Sequence, residues 1–173
     1  MNNDGYPDLI GSKGEGIWVA FNDKNGHFVG GDKPIANIFK GADGWMNREF
    51  PRYFLDVNGD GFPDVIGFFE NETYVALGTG KGFLEPTVWL NGFGRKNYNP
   101  NSEPRQIHDM NGDGLPDLVA FGFDGVDVAI NTGKSFLPPV TWLNNLGYKQ
   151  NWADRIGLKD RMILDVNQDG IPD

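Results

Sequence analysis

Short hydrophobic runs of strand length, each bounded by turn residues, recur along the chain. Residues 52–57 are RYFLDV, 64–69 are DVIGFF, 73–78 are TYVALG and 85–90 are EPTVWL, with glycine- and asparagine-rich segments between several of them. Apolar runs of this length predict β-strands joined by tight turns. No stretch keeps a 3.6-residue period between helix caps, so we expect few helices.

The four runs belong to a unit of about 55 residues that repeats along the chain. Three acidic segments begin at Asp56, Asp109 and Asp165, at spacings of 53 and 56 residues. Other positions keep the same phase, because an alanine lies 16 residues after the central aspartate of each loop, and an arginine lies four residues before the first one. These positions are Ala20, Ala76 and Ala129, and Arg52, Arg105 and Arg161. Agreement at scattered positions indicates internal duplication.

Four antiparallel strands per repeat predict an all-β fold, the β-propeller, whose blades pack face to face around an axis. The chain is expected to be one propeller segment over 1–173, with repeats at approximately 1–51, 52–104 and 105–160, and a further blade starting in 161–173. The run RMILDV (161–166) is predicted to be a strand that could complete the sheet begun by residues 8–39. Since propellers have about four to eight blades, we expect either that the chain is part of a longer protein or that separate copies self-associate strand to strand.

The segment DVNGDGFPD (56–64) carries oxygen donors at alternating positions. Calcium takes six to eight oxygen ligands, and a glycine at position 6 permits the sharp bend of such a loop. An EF-hand is excluded because position 12 is Gly67 or Ala120 instead of glutamate. A plain turn is the competing interpretation, since Asn, Asp and Gly are turn formers. It leaves unexplained the carboxylates at positions 1 and 9, which repel one another without a cation.

The sequence therefore predicts Ca²⁺ sites built from side chains at positions 1, 3, 5 and 9 and the main-chain carbonyl of position 7. The predicted ligands are Asp56, Asn58, Asp60, Phe62 and Asp64; Asp109, Asn111, Asp113, Leu115 and Asp117; and Asp165, Asn167, Asp169, Ile171 and Asp173. A partial first loop lacks the leading aspartate and keeps Asn2, Asp4 and Asp8, so its calcium binding is left open.

Composition and charge narrow the possible partners. The formal charge of −9 makes the chain a poor partner for nucleic acids and anionic membranes. Cysteine is absent, which excludes disulfides and thiolate zinc sites. No run of about 18 apolar residues predicts a membrane span. No signal peptide is recognised at Met1, and because the chain starts within one acidic loop and stops in another, we expect a segment of a longer protein.

The D-x-N-x-D-G-x-x-D loops resemble those of the FG-GAP/VCBS repeat family, in which such a calcium loop links the first two strands of each propeller blade, as in integrin α-chains. The resemblance covers the whole chain. PRYFLDVNGDGFPDVIGF…YVALGTGKGF and DGLPDLVAFGFDGVDVAINTGKSF also resemble the repeats of Psathyrella velutina-type lectins. This implies a seven-bladed propeller that binds N-acetylglucosamine, and in some members sialic acid, between neighbouring blades.

The resemblance also implies sugar-binding residues, which combine an aromatic ring, a guanidinium and an amide in each repeat. The candidates are Trp45, Arg52 and Asn22; Tyr98 and Arg105, with Gly78 at the amide position; and Trp152, Arg161 and Asn131. An aromatic ring packs on sugar C–H faces, and the polar groups bind hydroxyl and acetamido groups. The competing interpretation is structural, with the rings in the inter-blade core and the arginines balancing the charge of the loops.

The sequence favours a calcium-stabilised lectin without catalytic activity, located outside the cell, where calcium is millimolar. No carboxylate pair stands out from the calcium set, and no nucleophile–base motif is visible. Two alternatives remain: an integrin-like protein-interaction or adhesion module, and a noncatalytic domain of a secreted enzyme or toxin.

Overall fold

The computed structural model describes residues 1–45, 50–152 and 161–172. Its strands are β1 (Leu9–Lys13), β2 (Gly16–Asn22), β3 (Phe28–Gly30), β4 (Arg52–Leu55), β5 (Asp64–Phe68), β6 (Thr73–Ala76), β7 (Thr87–Leu90), β8 (Arg105–His108), β9 (Asp117–Phe121), β10 (Val126–Ala129) and β11 (Val140–Leu143). Over these three ranges, helical structure is limited to the 3₁₀ turns Gly41–Asp43 and Tyr148–Gln150, and neither could cross a membrane. The all-β prediction is confirmed.

The strands form three antiparallel sheets in which each strand pairs with the next one along the chain. The first sheet is β1-β2-β3, the second is β4-β5-β6-β7 and the third is β8-β9-β10-β11. In the second sheet Leu55 pairs with Asp64, and in the third His108 pairs with Asp117. The acidic loops at 56–64 and 109–117 therefore each join the first two strands of a four-stranded sheet, which places their donors at one end of the blade.

The second sheet is covered on both faces because successive strand residues point to opposite sides. Val65 and Ala76 pack with Ile17 in the core between the first and second sheets. Ile66 packs with Leu118 in the core between the second and third sheets. Sheets stacked in this way, with an apolar layer at each junction, are the blades of a β-propeller.

Residues 161–166, predicted to be a strand, form none. A strand is defined by its hydrogen-bonded ladder with a neighbour, and no strand within the described ranges pairs with this segment. Burial nevertheless alternates along it, because Arg161 and Ile163 are 7% and 8% exposed whereas Met162 and Leu164 are 69% and 53% exposed. Ile163 packs on the outer face of the third sheet, with Phe121.

Candidate functional site

Each acidic loop that begins with an aspartate is wrapped around the carboxylate of that residue. Asp56 Oδ1 accepts hydrogen bonds from the main-chain N–H groups of Gly59 and Asp60, and its Oδ2 accepts from Gly61. Gly59 and Gly61 have φ values of +76° and +87°, a left-handed conformation that glycine adopts without a steric penalty. The backbone encloses the Asp56 carboxylate by taking a left-handed conformation at positions 59 and 61, and this explains why glycine occupies both positions.

The second and third donor residues lie within the same turn. Asn58 Nδ2 donates to Asp60 Oδ2 over 2.9 Å, and Asp60 Oδ1 accepts from the main-chain N–H of Phe62. The loop at 109–117 repeats this set of bonds, with the same first aspartate, asparagine and central aspartate. Two of the complete loops thus have one geometry, as their sequence predicts.

The aspartate at position 9 begins the second strand and is fully buried. Asp64 accepts from Val57 N–H over 2.8 Å and from Gly78 N–H over 2.6 Å, so it connects the loop to the end of β6. Burial raises its pKa to about 6, and the negative charges of Asp60 and Asp56 add to the rise. Asp117 accepts from the corresponding N–H groups of Met110 and Asn131, and burial raises its pKa as well.

The two terminal loops differ in their surroundings. In the first loop the N-terminal ammonium donates to Asp8 Oδ2 over 2.9 Å, as Val57 does to Asp64, and Lys24 lies 3.2 Å from Asp4. In the last loop Asp165 accepts from Gln168, Asp169 and Gly170. Its predicted ninth ligand, Asp173, lies outside the described residues.

The donor chemistry of these loops fits calcium. All donors are oxygen atoms, and Asp64, with one N–H on each carboxylate oxygen, keeps further lone pairs for a cation. Over residues 1–45, 50–152 and 161–172, however, no three acidic or histidine side chains already form a metal cluster. The carboxylates of each loop hold main-chain N–H groups, so the loops provide the ligand residues in sequence without a preformed cage.

The phased arginines, predicted to contact sugar, lie at the junctions between sheets. Arg105 is 6% exposed, its guanidinium carbon lies 4.9 Å from the centroid of the Phe68 ring, and Nη1 donates to the Phe93 carbonyl over 2.7 Å. Arg52 donates to the carbonyls of Phe39 and Trp45. Buried guanidinium groups with these partners fix the connections between blades.

Arg161 repeats the arrangement on the third sheet. It lies over the Phe121 ring and donates to the carbonyls of Leu146 and Ser102. The accepting residues Phe39, Phe93 and Leu146 all have positive φ values, of 50°, 60° and 61°. One guanidinium therefore holds the same left-handed bend in each repeat.

The predicted amides also bind main-chain groups. Asn131 Nδ2 donates to the Val57 and Pro116 carbonyls, and Asn22 Nδ2 donates to the Pro7 carbonyl. Tyr98 is 8% exposed and donates its hydroxyl hydrogen to Asp127. Trp152 lies partly exposed, next to residues outside the described ranges. The three predicted sets thus lie at separate places, and in the first set Arg52 contacts Trp45, with its guanidinium carbon 5.4 Å from the indole centroid, whereas Asn22 donates within its own sheet.

Trp45 differs from these residues because it lies beneath an open groove between the first and second sheets. Its ring stacks on Phe69, with centroids 4.7 Å apart and planes at 23°, and meets Tyr74 edge to face. Gly67 makes room for it, since a Cβ at that position would lie 2.7 Å from the indole. The exposed side chains of Asn37, Asp43 and Glu85 form the rim of this groove.

A second groove lies at the equivalent place between the second and third sheets. It is lined by Trp89, Asn91 and Phe136, with Pro138 and Pro139 where the first groove has Glu85 and Pro86. Both pairs directly precede the last strand of their sheet. The two inter-blade grooves therefore share this edge but differ in charge and in floor, since Phe69 and Tyr74 correspond in phase to Gly122 and Asp127.

The sequence analysis did not identify five residues of the first groove as candidate site residues: Phe69, Tyr74, Asn37, Asp43 and Glu85. Tyr74 is in phase with Trp18 and Asp127, each 14 residues after the central aspartate of its loop, and this phase was the one sequence feature that could have indicated Tyr74. The phase could not show that Tyr74 faces Trp45, which lies in the connection between the first and second sheets.

Comparison with known proteins shows that part of the chain matches a known repeat family. Residues 1–67, which contain the partial first loop and the complete loop at 56–64, match the family model described as FG-GAP-like repeat. The chain contains an FG-GAP-like repeat. The third sheet carries the FG-GAP-like loop pattern again at 109–117. Among curated proteins, none matches the chain significantly.

Three solved structures resemble this chain. A lectin from Agrocybe aegerita, described as recognising non-reducing terminal N-acetylglucosamine, is 34% identical with a TM-score of 0.78, over 88% of this chain and 39% of the lectin. The Tc holotoxin pore of Photorhabdus luminescens is 22% identical with a TM-score of 0.66, over 97% of this chain and 8% of that chain. The TcdB2-TccC3 complex is 16% identical with a TM-score of 0.52, over 88% of this chain and 6% of that chain. The toxin structures show the fold alone, and the chain spans well under half the length of all three.

Proposed function

We propose that the chain binds carbohydrate, and that a neutral N-acetylated sugar such as N-acetylglucosamine occupies the groove between the first and second sheets. The observation that carries the proposal is the aromatic floor of Trp45, Phe69 and Tyr74 beneath a polar rim. Sugar sites combine an apolar platform with a few polar groups that fix orientation. The similarity to the Agrocybe aegerita lectin supports the same function.

In this proposal, the residues of the groove contact different parts of the sugar. The exposed edges of Phe69 and Tyr74 pack on the C–H face of the sugar ring, while Asn37 donates to the acetamido carbonyl. Asp43 and Glu85 accept hydrogen bonds from sugar hydroxyls, because carboxylates are acceptors only. Two carboxylates on one rim disfavour sialic acid, whose own carboxylate would be repelled.

The second groove gives a further site of different character. Trp89 and Asn91 can supply a platform and an amide there, and Pro138 and Pro139 replace the acidic rim. Linked weak sites gain apparent affinity when a ligand presents several sugars. We therefore expect tighter binding to a surface bearing many N-acetylglucosamine groups than to the free sugar.

Calcium has a structural role in this proposal. The ion would be held by Asp56, Asn58, Asp60, the Phe62 carbonyl and Asp64, and by the corresponding residues of the other loops. It would neutralise neighbouring carboxylates and stiffen the connection between the first two strands of each blade. The proposed location is outside the cell, because calcium loops of this class can fill at the millimolar calcium found there.

A titration by saturation-transfer NMR tests the site. Wild-type protein in calcium should bind N-acetylglucosamine, and Glu85→Gln combined with Asn37→Ala should weaken binding about tenfold, equivalent to about 1.4 kcal/mol. Glu15→Gln, an exposed glutamate in the turn between β1 and β2, is the matched control and should bind normally. Equal binding by the groove variant and the control would refute the site.

A glycan array in calcium tests the ligand class. The proposal expects signals on terminal N-acetylglucosamine and weaker signals on sialylated glycans. A blank array from protein with intact β-sheet circular dichroism would contradict carbohydrate binding and would favour the protein-interaction alternative.

A further inference from the structure

Neighbouring acidic loops touch each other across the junction between the second and third sheets. Leu115, at position 7 of the loop 109–117, lies over Gly59, at position 4 of the loop 56–64, where a Cβ would be 3.5 Å from Leu115 Cδ2. Leu115 is half-buried, whereas residues 111–114 before it are exposed. The side chain of one loop therefore packs on the backbone bend of the other.

A second contact links the same two loops through Asn131. Its main-chain N–H donates to Asp117 Oδ1 over 2.7 Å, and its side-chain amide donates to the Val57 carbonyl over 2.8 Å. Asp117 is position 9 of one loop, and Val57 is position 2 of the other. The amide oxygen of Asn131 accepts from Gly133 N–H, which fixes the orientation of the side chain. Asn131 and Val57 are 2% and 0% exposed, so water does not compete for this connection.

The packing contact recurs at the next loop along the chain. Ile171, at position 7 of the last loop, lies over Gly112, at position 4 of the loop 109–117, where a Cβ would be 3.1 Å from Ile171 Cδ1. Gly59 and Gly112 both have a φ of +76°. In two successive pairs of loops, an aliphatic side chain at position 7 thus rests on the left-handed bend at position 4 of the preceding loop.

These contacts are made by residues that would be ordered when a loop binds calcium. In the proposed site of the loop 109–117, Leu115 supplies its main-chain carbonyl and Asp117 its carboxylate. The first aspartate of this loop now holds the N–H groups of Gly112 and Gly114, and the donors do not yet form a cage. Binding of an ion therefore has to order the loop, because its ligands are not already in place.

We propose that Leu115 and Asn131 position the calcium loop 56–64 as well as their own loop, so that the two adjacent loops bind calcium cooperatively. This inference rests on the calcium binding proposed above. An ordered loop 109–117 fixes Leu115 over Gly59 and Asn131 on the Val57 carbonyl, so the neighbouring loop loses less freedom when it fills. The effect is reciprocal, because two linked binding equilibria change each other by the same factor.

Charge acts in the opposite sense, since a loop that holds a divalent cation is less negative and attracts a neighbouring cation less. At about 0.15 M salt, interactions between exposed charges are largely screened beyond about 8 Å. The contact of Leu115 with Gly59 and the buried hydrogen bond of Asn131 are not screened in this way. We therefore expect the contacts to determine the sign of the coupling at this ionic strength.

An NMR titration with calcium at about 0.15 M salt tests the coupling, because each loop has its own reporter. The main-chain N–H groups of Gly61 and Gly114 donate to the first aspartate of their loops, so both resonances should move as the loops fill. In the wild-type protein both titration curves should be steeper than a one-site binding curve. One-site curves would overturn the coupling and leave calcium binding intact, whereas resonances that do not move would refute both.

Uncharged substitutions identify the residues that carry the coupling. Leu115→Ala combined with Asn131→Ala removes no proposed ligand and no charge, and it should reduce both curves to one-site form. Leu115→Ala alone, at a half-buried site, should reduce the steepness in part and keeps the test available if the double variant unfolds. Ile171→Ala is the matched control, because it cuts the contact with Gly112 and should leave the Gly61 curve steep. Equal flattening of the Gly61 curve by Leu115→Ala and Ile171→Ala, or no flattening by either variant at Leu115, would contradict the proposal.

Discussion

The side-chain amide of Asn131 donates a 2.8 Å hydrogen bond to the main-chain carbonyl of Val57, across the junction between the second and third sheets. Asn131 is 2% exposed, and its amide also donates to the Pro116 carbonyl. Its own main-chain N–H donates to Asp117. One residue thereby ties the acidic loop of one blade to the corresponding loop of the next.

Asn131→Ala should lower the free energy of unfolding by about 1–3 kcal/mol, because it leaves the buried Val57 carbonyl without this donor. Asn22→Ala is the matched control: Asn22 is in phase with Asn131 but donates within its own sheet, at an exposed site. Its cost should be below about 1 kcal/mol. Urea unfolding measures both, and equal costs would show that the contact across the junction adds nothing.

Arg105→Lys should lower the free energy of unfolding by about 1–3 kcal/mol, since lysine keeps the charge but loses the planar contact with Phe68 and the guanidinium geometry. Arg95→Lys provides the same substitution at a half-exposed site, where the guanidinium pairs with Glu70 and lies 5.7 Å from the Phe50 ring centroid. Its effect should be smaller, at about 1 kcal/mol or less, because the pair is partly open to solvent. Thermal or urea unfolding of the two variants gives the comparison, and a larger loss for Arg95→Lys would contradict a structural role for Arg105.

Calcium should raise the melting temperature, because a ligand that binds only the folded state stabilises it by about 2.7 kcal/mol at a concentration one hundred times its dissociation constant. Asp56→Asn should reduce the rise by removing one ligand charge. Asp124→Asn, at an exposed ion pair with Lys149, should keep the full rise. Scanning calorimetry with calcium and with chelator makes the measurement, and identical melting temperatures in the two buffers would refute calcium binding.

The raised pKa of Asp64 makes the stability of the calcium-free protein depend on pH. A carboxyl with a pKa of about 6 when folded, against 3.8 as its ordinary value, favours the folded state in its protonated form. Its stabilisation is therefore complete below about pH 4 and is lost as the pH rises through about 6. The raised pKa of Asp117 acts in the same direction.

Asp64→Asn should flatten this pH dependence in part, leaving the contribution of Asp117. Urea unfolding in chelator at several pH values between about 4 and 7 tests the prediction, with Asp124→Asn as a variant expected to keep the wild-type slope. A slope unchanged by Asp64→Asn would show that this carboxyl does not titrate in the range.

Local chemistry made much of the fold predictable. The runs at 52–57, 64–69, 73–78 and 85–90 contain β4, β5, β6 and β7, because a strand needs only a short apolar run and a turn at each end. The wrapped geometry of the acidic loops was also encoded locally, since its hydrogen bonds join residues no more than five positions apart. The calcium itself stays a prediction.

The candidate sugar site was less accessible to sequence reasoning. Phase in the repeat singled out Arg52, Arg105 and Arg161, and the structure uses all three to hold carbonyls at sheet junctions. A residue that recurs in every blade can be needed for packing or for binding, so recurrence by itself does not distinguish the two roles. The strand predicted at 161–166 failed for a related reason, because strand formation depends on a neighbour as well as on the sequence of the segment.

The sequence by itself determined the repeat, the strands and the acidic turns, since each depends on contacts between residues close together in the chain. Tertiary structure alone decided which faces meet, and so it decided that Trp45 of one repeat stacks on Phe69 of the next and that Leu9 remains exposed. Such contacts depend on how whole sheets stack, and no local pattern of hydrophobic and polar residues specifies that arrangement.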